Sequence, residues 1–140
     1  MEDESAPSDR PRDPEPRVLL ADDSAVEREA LAHLLRQAGY HVDEADDGEA
    51  AILFLKQKLP DLLLLDLQMP GTDGFGVLSY LQKNKKEFPV ILLSGLPPEQ
   101  IQKSMQKLPF RDLPPLLLKP VDPNQLLNIV AMRLEGELPA

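Results

Sequence analysis

The sequence predicts an α/β fold, a doubly wound parallel sheet of five strands with helices on both faces. From Arg17 onward, short apolar runs alternate with longer segments of helical periodicity, which is the pattern of a βα repeat. The third apolar run, over 62–65, has leucine at every position, as expected for a strand covered on both faces. Hydrophobic residues make up 42% of the 140 residues and aromatic residues only 4%, so we expect one core of aliphatic side chains.

Five short apolar segments are the predicted strands, and helical segments separate them. The strands cover residues 18–21, 40–45, 62–65, 90–93 and 116–118. After a first helix, the predicted helices run from Gly48 to near Pro60, over 74–86, over 100–107, and from Pro123 to about 135. Prolines crowd the segment 108–115, so we expect an irregular connection there.

The first helix is predicted from its capping residues and its apolar spacing. Ser24 and Glu27 have the spacing of a capping box, in which each side chain satisfies a backbone N–H of the other residue. The apolar positions of the helix are Val26, Ala30, Leu31, Leu34 and Leu35. Gly39 is predicted to end it, because glycine readily adopts the left-handed conformation found after helix ends.

The two ends of the chain differ in composition from the region between them. Residues 1–16 carry six acidic residues, two arginines and four prolines with hardly an apolar side chain, so we expect a disordered tail. The remaining sequence predicts one folded domain over 17–136. A short C-terminal tail over 137–140 follows.

Charge and cysteine content exclude several classes of protein. The chain has 24 acidic and 15 basic residues and a net charge of −9, which argues against a broad basic face for direct nucleic-acid binding. It has no cysteine, which excludes a disulfide scaffold, a thiolate metal site and a cysteine nucleophile. Without a signal peptide or an apolar segment long enough to span a membrane, we expect a cytoplasmic protein with no membrane insertion.

Polar side chains follow four of the five predicted strands. They are Asp22 and Asp23 after the first strand, Asp66 after the third, Ser94 after the fourth and Lys119 after the fifth. The carboxyl ends of parallel strands meet at one edge of the sheet, where proteins of this architecture bind ligands. Each residue alone has an ordinary explanation as a cap or loop residue. Their shared position at strand ends predicts a single site.

Three carboxylates at one site repel one another and favour a bound cation. Mg²⁺ fits best, because it prefers oxygen ligands and keeps positions open for water and phosphate oxygens. A carboxylate beside such an ion can accept a phosphoryl group. Lys119 and Ser94 would hold the remaining phosphoryl oxygens, so the residues predict phosphoryl-transfer chemistry.

The sequence resembles the receiver domains of two-component response regulators over about residues 17–133. The matching segments are Leu19-Leu20-Ala21-Asp22-Asp23, Leu65-Asp66-Leu67-Gln68-Met69-Pro70-Gly71-Thr72-Asp73-Gly74, Leu92-Leu93-Ser94-Gly95 and Leu118-Lys119-Pro120. The resemblance implies the flavodoxin-like strand order 2-1-3-4-5. It also implies a signalling receiver, which promotes only its own phosphorylation and dephosphorylation and is not an enzyme in the usual sense.

The resemblance implies how the site would bind its metal and its phosphoryl group. Mg²⁺ would be ligated by Asp23, Asp66 and the backbone carbonyl of Gln68, with Asp22 acting through a metal-bound water. Asp66 would be the phosphoacceptor. Lys119 would pair with the phosphoryl group.

The remaining implications concern Ser94 and the partners. Ser94 would close over the phosphoryl group after its transfer. The donor would be the phosphohistidine of a sensor histidine kinase or a histidine phosphotransfer protein, and the signal would pass by docking to a separate target protein. We expect no output domain after the fifth helix, although a domain excised from a longer regulator would have the same sequence. The sequence does not decide between a monomer and a dimer.

Departures from the family pattern leave an alternative open. Leu116 stands where receivers usually carry a tyrosine or phenylalanine that couples phosphorylation to output, and Val121 stands where phenylalanine is common. These departures favour a pseudo-receiver, a phosphorylation-independent interaction module, whereas the complete set of site residues favours a working receiver. A phosphatase or dehalogenase-like enzyme with Asp66 as nucleophile is disfavoured, because that superfamily has an aspartate where this chain has Gln68.

Overall fold

A computed structural model of the chain describes residues 15–106 and 114–135. Its strands are β1 (Arg17–Ala21), β2 (His41–Ala45), β3 (Leu62–Asp66), β4 (Val90–Ser94) and β5 (Leu116–Leu118). Its helices are α1 (Ala25–Gln37), α2 (Gly48–Gln57), α3 (Gly74–Lys83), α4 (Pro98–Met105) and α5 (Pro123–Leu134). The predicted tails lie almost entirely outside the described residues, as does most of the predicted connection over 108–115.

The strands form one parallel sheet in the order β2-β1-β3-β4-β5, which confirms the predicted doubly wound architecture. Ala21 pairs with Leu65 between β1 and β3, and Leu93 pairs with Leu117 between β4 and β5. From β1 the chain passes to β2 on one side and later to β3 on the other. In such sheets, the carboxyl ends of the strands at this switch point border the crevice in which ligands bind. The residues that end β1 and β3 therefore share that crevice.

The central strand β3 is buried at all five positions, because helices cover both faces of the sheet. Leu63 and Leu65 belong to a core shared with α2, α3 and α4. Leu62 and Leu64 belong to a second core shared with α1 and α5. This double coverage explains the unbroken leucine run, since a strand with one solvent face would alternate. It also gives Asp66, at the end of β3, a rigid support.

Side chains of Ser24, Asp47, Asp73 and Asp122 cap the N-termini of α1, α2, α3 and α5. Each accepts a hydrogen bond from a backbone N–H in the first turn of its helix, a position where helices leave donors unpaired. The first three helices begin just after β1, β2 and the loop after β3. Capping therefore fixes the loops that form the carboxyl edge of the sheet.

The apolar stripe of α1 differs from the prediction. The helix buries Leu31, Ala32 and Leu35, whereas Val26 and Ala30 are exposed. Val26 lies nine residues before Leu35, which is about two and a half turns, so the two side chains project from opposite sides of the helix.

The ends of two helices show how the local backbone stops them. Gly39 follows α1 with a φ of 102°, which confirms its predicted role as a terminator. Helix α3 ends at Lys83, before the predicted end at 86. There the Asn84 side chain donates to the carbonyl of Tyr80 at 2.8 Å, and Lys85 turns out of the helix with a φ of 52°.

Candidate functional site

The structure brings the predicted acidic residues together at the carboxyl edge of the sheet. One carboxylate oxygen from each of Asp22, Asp23 and Asp66 lies within 4.8 Å of the others. Asp22 and Asp66 are buried, and Asp23 is exposed. The crevice between β1 and β3 therefore holds a compact carboxylate cluster with one side open to solvent.

Asp66 is held by hydrogen bonds to both of its carboxylate oxygens. Oδ1 accepts the backbone N–H of Gln68 at 3.0 Å, and Oδ2 accepts from Lys119 Nζ at 3.0 Å. The loop after β3 packs tightly against Gly74, where an added Cβ would lie 2.6 Å from the Asp66 carbonyl oxygen. Glycine is required there by this close approach, which keeps the Asp66 backbone against the start of α3.

Asp22 has one satisfied and one unsatisfied carboxylate oxygen. Oδ1 accepts the backbone N–H of Ser24 at 2.9 Å, whereas the buried Oδ2 has no hydrogen-bond partner among the described residues. Burial raises the pKa of Asp22 to about 6, and the negative charges of Asp66 and Glu27 add to the rise; the Ser24 N–H and the Lys119 charge oppose it. A buried carboxylate oxygen that accepts no hydrogen bond is able to ligate a cation.

Lys119 is the counter-charge of the cluster, and its side chain is only 17% exposed. Nζ lies 2.7 Å from Glu27 Oε1, 3.0 Å from Asp66 Oδ2 and 3.6 Å from Asp22 Oδ2. Burial alone would lower the pKa of this ammonium, but its contacts with these three carboxylates outweigh burial and raise the pKa. Lys119 is therefore charged at any physiological pH.

Glu27 is the site residue that the sequence analysis did not identify. Its capping-box spacing predicts a side chain that turns back to the Ser24 N–H, but that N–H already donates to Asp22. Ser24 Oγ still accepts from the Glu27 N–H at 3.3 Å, so only half of the box forms. The Glu27 carboxylate instead reaches Lys119. A signal was present in the sequence, because an aspartate two residues before the cap can take over that N–H.

Ser94 ends β4, and Gln68 lies on the neighbouring loop after β3, at the same edge. Ser94 is buried, and its Oγ accepts the backbone N–H of Leu96 at 2.9 Å, in the loop that follows β4. The Gln68 side chain accepts the backbone N–H of Gly95 at 3.0 Å. The Ser94 carbonyl accepts the Lys119 N–H at 2.8 Å, so the ends of β4 and β5 are also joined.

The donor set suits a hard divalent cation. It consists of carboxylate oxygens only, one of them buried without a hydrogen-bond donor, and these are the ligands that Mg²⁺ and Ca²⁺ prefer. Asp22, Asp23 and Asp66 are therefore able to hold a metal ion. Ligation by the Gln68 carbonyl stays a prediction.

The strand order and the acidic crevice between β1 and β3 define a receiver-type α/β domain. The chain belongs to the response regulator receiver domain family, which it matches over residues 18–131. It is a receiver of the two-component signalling type, as the resemblance implied. Receiver domains are signalling modules and are not enzymes in the usual sense. Within the two described ranges, no helix has both the length and the apolar character needed to cross a membrane.

Individual relatives agree with this assignment. The chain is 32% identical over 122 residues to Protein PilH of Pseudomonas aeruginosa, covering 86% of this chain and 98% of that protein. The receiver domain of Francisella response regulator 1452 is similar in structure with a TM-score of 0.75 and 28% identity, covering 86% of this chain and 97% of that one. Vibrio cholerae chemotaxis protein CheY4 is similar with a TM-score of 0.75 and 27% identity, covering 86% of this chain and 100% of that one.

Other relatives are longer proteins. A probable transcriptional regulator, ycf27 of Guillardia theta, is 40% identical over 80 residues, which are 57% of this chain and 31% of that protein. The chain thus spans about a third of the length of such regulators.

Proposed function

We propose that Asp66 is the phosphoacceptor of this receiver and takes its phosphoryl group from the phosphohistidine of a sensor histidine kinase or a histidine phosphotransfer protein. The observation that carries the proposal is that Asp66 is buried in the switch-point crevice with one carboxylate oxygen 3.0 Å from Lys119 Nζ. In the reaction, the phosphorus–nitrogen bond of the donor breaks as a phosphorus–oxygen bond to Asp66 forms. The electron pair of the broken bond goes to the imidazole nitrogen, which is protonated on leaving.

The other residues would position the phosphoryl group and neutralise its charge. Mg²⁺ would be held by Asp23, Asp66 and the Gln68 carbonyl, with Asp22 acting through a water, and it would supply charge neutralisation at the phosphoryl oxygens. Lys119, already in contact with Asp66, would pair with a phosphoryl oxygen. Ser94 would exchange its bond to Leu96 for a phosphoryl oxygen, which moves the loop that follows β4. Asp22, Asp23 and Lys119 already lie close to Asp66, which supports this division of roles.

The output would be a change in affinity for a separate protein, with no direct contact to nucleic acid and a cytoplasmic location. Leu116 is half-buried at the start of β5 and packs against the core of α2, α3 and α4. Leucine has no hydroxyl that could change hydrogen-bond partners, and its side chain is smaller than an aromatic ring. Phosphorylation of Asp66 would therefore change partner affinity through backbone movement of the loop after Ser94.

Intact-mass measurement after incubation with acetyl phosphate tests the acceptor directly. We expect the wild type to gain one phosphoryl group only when Mg²⁺ is present. Asp66→Asn should gain none while keeping its circular dichroism spectrum. Asp46→Asn is the matched control, because Asp46 is an exposed aspartate after β2 at the same edge of the sheet. Labelling of Asp66→Asn at the wild-type rate would overturn the assignment.

The second candidate is a pseudo-receiver that binds partners without phosphorylation. The leucine at position 116, in place of the usual aromatic residue, favours it. A folded wild type that takes no phosphoryl group from acetyl phosphate or from a second donor, phosphoramidate, would support this candidate over the first.

A further inference from the structure

The shortest contact of Lys119 is not with the proposed phosphoacceptor but with Glu27 on α1. Nζ lies 2.7 Å from Glu27 Oε1, compared with 3.0 Å from Asp66 Oδ2. The Glu27 side chain is 42% exposed, so it reaches in from the rim of the crevice while Lys119 is largely covered. Glu27 adopts this position because Asp22 has taken the Ser24 N–H that would otherwise hold its carboxylate.

Glu27 changes the charge of the site. Asp22, Asp23, Asp66 and Glu27 bring four carboxylates to this edge, and Lys119 contacts three of them. Counted over these five side chains alone, the net charge is three negative; a divalent cation offsets two of these charges, and the charge of Glu27 accounts for the third. An incoming phosphoryl group brings further negative charge, which a neutral site accepts more readily than an anionic one.

Glu27 also competes for the donors of Lys119. An ammonium has three N–H groups, and the carboxylates of Glu27, Asp66 and Asp22 lie within 3.6 Å of Nζ. Pairing with a phosphoryl oxygen requires at least one of these contacts to weaken. The contact with Glu27 is the shortest, and it stabilises the unphosphorylated site, in which Lys119 pairs with carboxylates alone.

We propose that Glu27 is a positioning residue that restrains phosphorylation of Asp66 by holding Lys119 and adding negative charge at the rim of the crevice. This inference rests on the proposed function of Asp66 and Lys119. Glu27 thereby sets the rate at which the site accepts a phosphoryl group. Removing its charge frees Lys119 for the phosphoryl oxygens and leaves the metal-binding aspartates intact.

The test compares Glu27→Gln with Glu29→Gln. Glutamine keeps the size of the side chain and removes its charge. Glu29 is exposed on the same helix, so its substitution changes the net charge equally without touching Lys119. The rate of labelling by acetyl phosphate in excess Mg²⁺ is followed by intact mass at low and at high salt. Glu27→Ala serves as a second variant, and thermal unfolding verifies that each protein is folded.

We expect Glu27→Gln and Glu27→Ala to be labelled about fivefold faster than the wild type at low salt, the effect of one half-exposed ion pair. Glu29→Gln should keep the wild-type rate. The ratio should fall at high salt, because screening weakens a charge effect and leaves a purely structural one unchanged.

The other outcomes distinguish the role of Glu27 from the role of Asp66 as phosphoacceptor. If the wild type is labelled on Asp66 but the Glu27 variants are no faster, the role of Glu27 is wrong and that of Asp66 stands. Equal acceleration in Glu29→Gln would mean that net charge steers the donor, and it would also overturn the role of Glu27. A wild type that is not labelled overturns both.

Discussion

The side-chain oxygen of Gln68 accepts the backbone N–H of Gly95 at 3.0 Å, which joins the loop after β3 to the loop after β4. The backbone N–H of Gln68 in turn donates to Asp66 Oδ1. One residue thus links the proposed phosphoacceptor to the loop that begins after Ser94. Two hydrogen bonds through Gln68 therefore connect Asp66 to the loop after β4.

Removing the Gln68 side chain should loosen the loop after β4. In Gln68→Ala, the Gly95 N–H loses its acceptor, so its hydrogen exchange should accelerate severalfold, in line with loss of one hydrogen bond worth about 1 kcal/mol. Exchange is measured by NMR at constant pH. Gln125→Ala, an exposed glutamine on α5, is the control and should leave Gly95 unchanged. Unaltered exchange at Gly95 in Gln68→Ala would show that the link does not hold the loop.

Lys119→Ala should leave Mg²⁺ affinity unchanged or increase it. Nζ lies 3.0 Å from Asp66 Oδ2 and 3.6 Å from Asp22 Oδ2, so the ammonium competes with a cation for the same carboxylates. Labelling by acetyl phosphate should fall sharply in the same variant. Isothermal titration calorimetry gives the affinity, with Lys103→Ala on α4 as an exposed control. A large loss of Mg²⁺ affinity would contradict the division of roles between Lys119 and the aspartates.

Two adjacent leucines of β5 provide a matched test of the core. Leu117 is 3% exposed within the core of α1 and α5, whereas Leu118 is 47% exposed. Leu117→Ala should lower the free energy of unfolding by about 2–4 kcal/mol, through lost burial and the cavity left behind. Leu118→Ala should change it by less than about 0.5 kcal/mol. Urea unfolding measures both, and equal losses would mean that Leu118 is covered in solution.

The sequence predicts the placement of this site because the placement depends on backbone topology. Asp22 and Asp66 follow apolar runs that read as strands, and the carboxyl ends of parallel strands lie at one edge. The strand order came from the family resemblance, and the observed sheet confirms it. The roles assigned to Asp66, Lys119 and Ser94 stay predictions, since proximity shows what the residues are able to do.

Three local features differ from the sequence prediction, and each has a geometric reason. The spacing of Ser24 and Glu27 is correct for a reciprocal cap, yet a third residue, Asp22, satisfies the Ser24 N–H first. The apolar character of Val26 suggests burial, but its angular position on α1 opposes the buried stripe. Lys85 ends α3 through a single positive φ, which no periodicity reveals. At Glu27 and Lys85, local geometry decides what residue spacing alone does not, whereas the exposure of Val26 follows from the helical period and the predicted stripe was wrong there.

Asp22 should make the metal-free protein less stable as the pH rises. Burial raises its pKa to about 6 from an ordinary value of 3.8. Well below pH 3.8 the group is protonated in both states and no difference arises. Between pH 3.8 and about pH 6, the Asp22 carboxyl is ionised in the unfolded chain but still protonated in the folded protein. The free energy of unfolding therefore falls as the pH rises through this range, and it stays lowered above about pH 6.

Asp22→Asn removes this titration and keeps an oxygen able to accept the Ser24 N–H. The variant should therefore be more stable than the wild type by roughly 1–3 kcal/mol at pH 7 without metal, and the difference should vanish at about pH 3. Asp23→Asn, at the exposed neighbouring residue, should give a much smaller gain. Urea unfolding at both pH values measures the effect. If the variant is no more stable than the wild type at pH 7, burying the ionised Asp22 carboxylate does not destabilise the fold. That result would contradict the view that the buried Oδ2, which accepts no hydrogen bond, makes this crevice favourable for a cation.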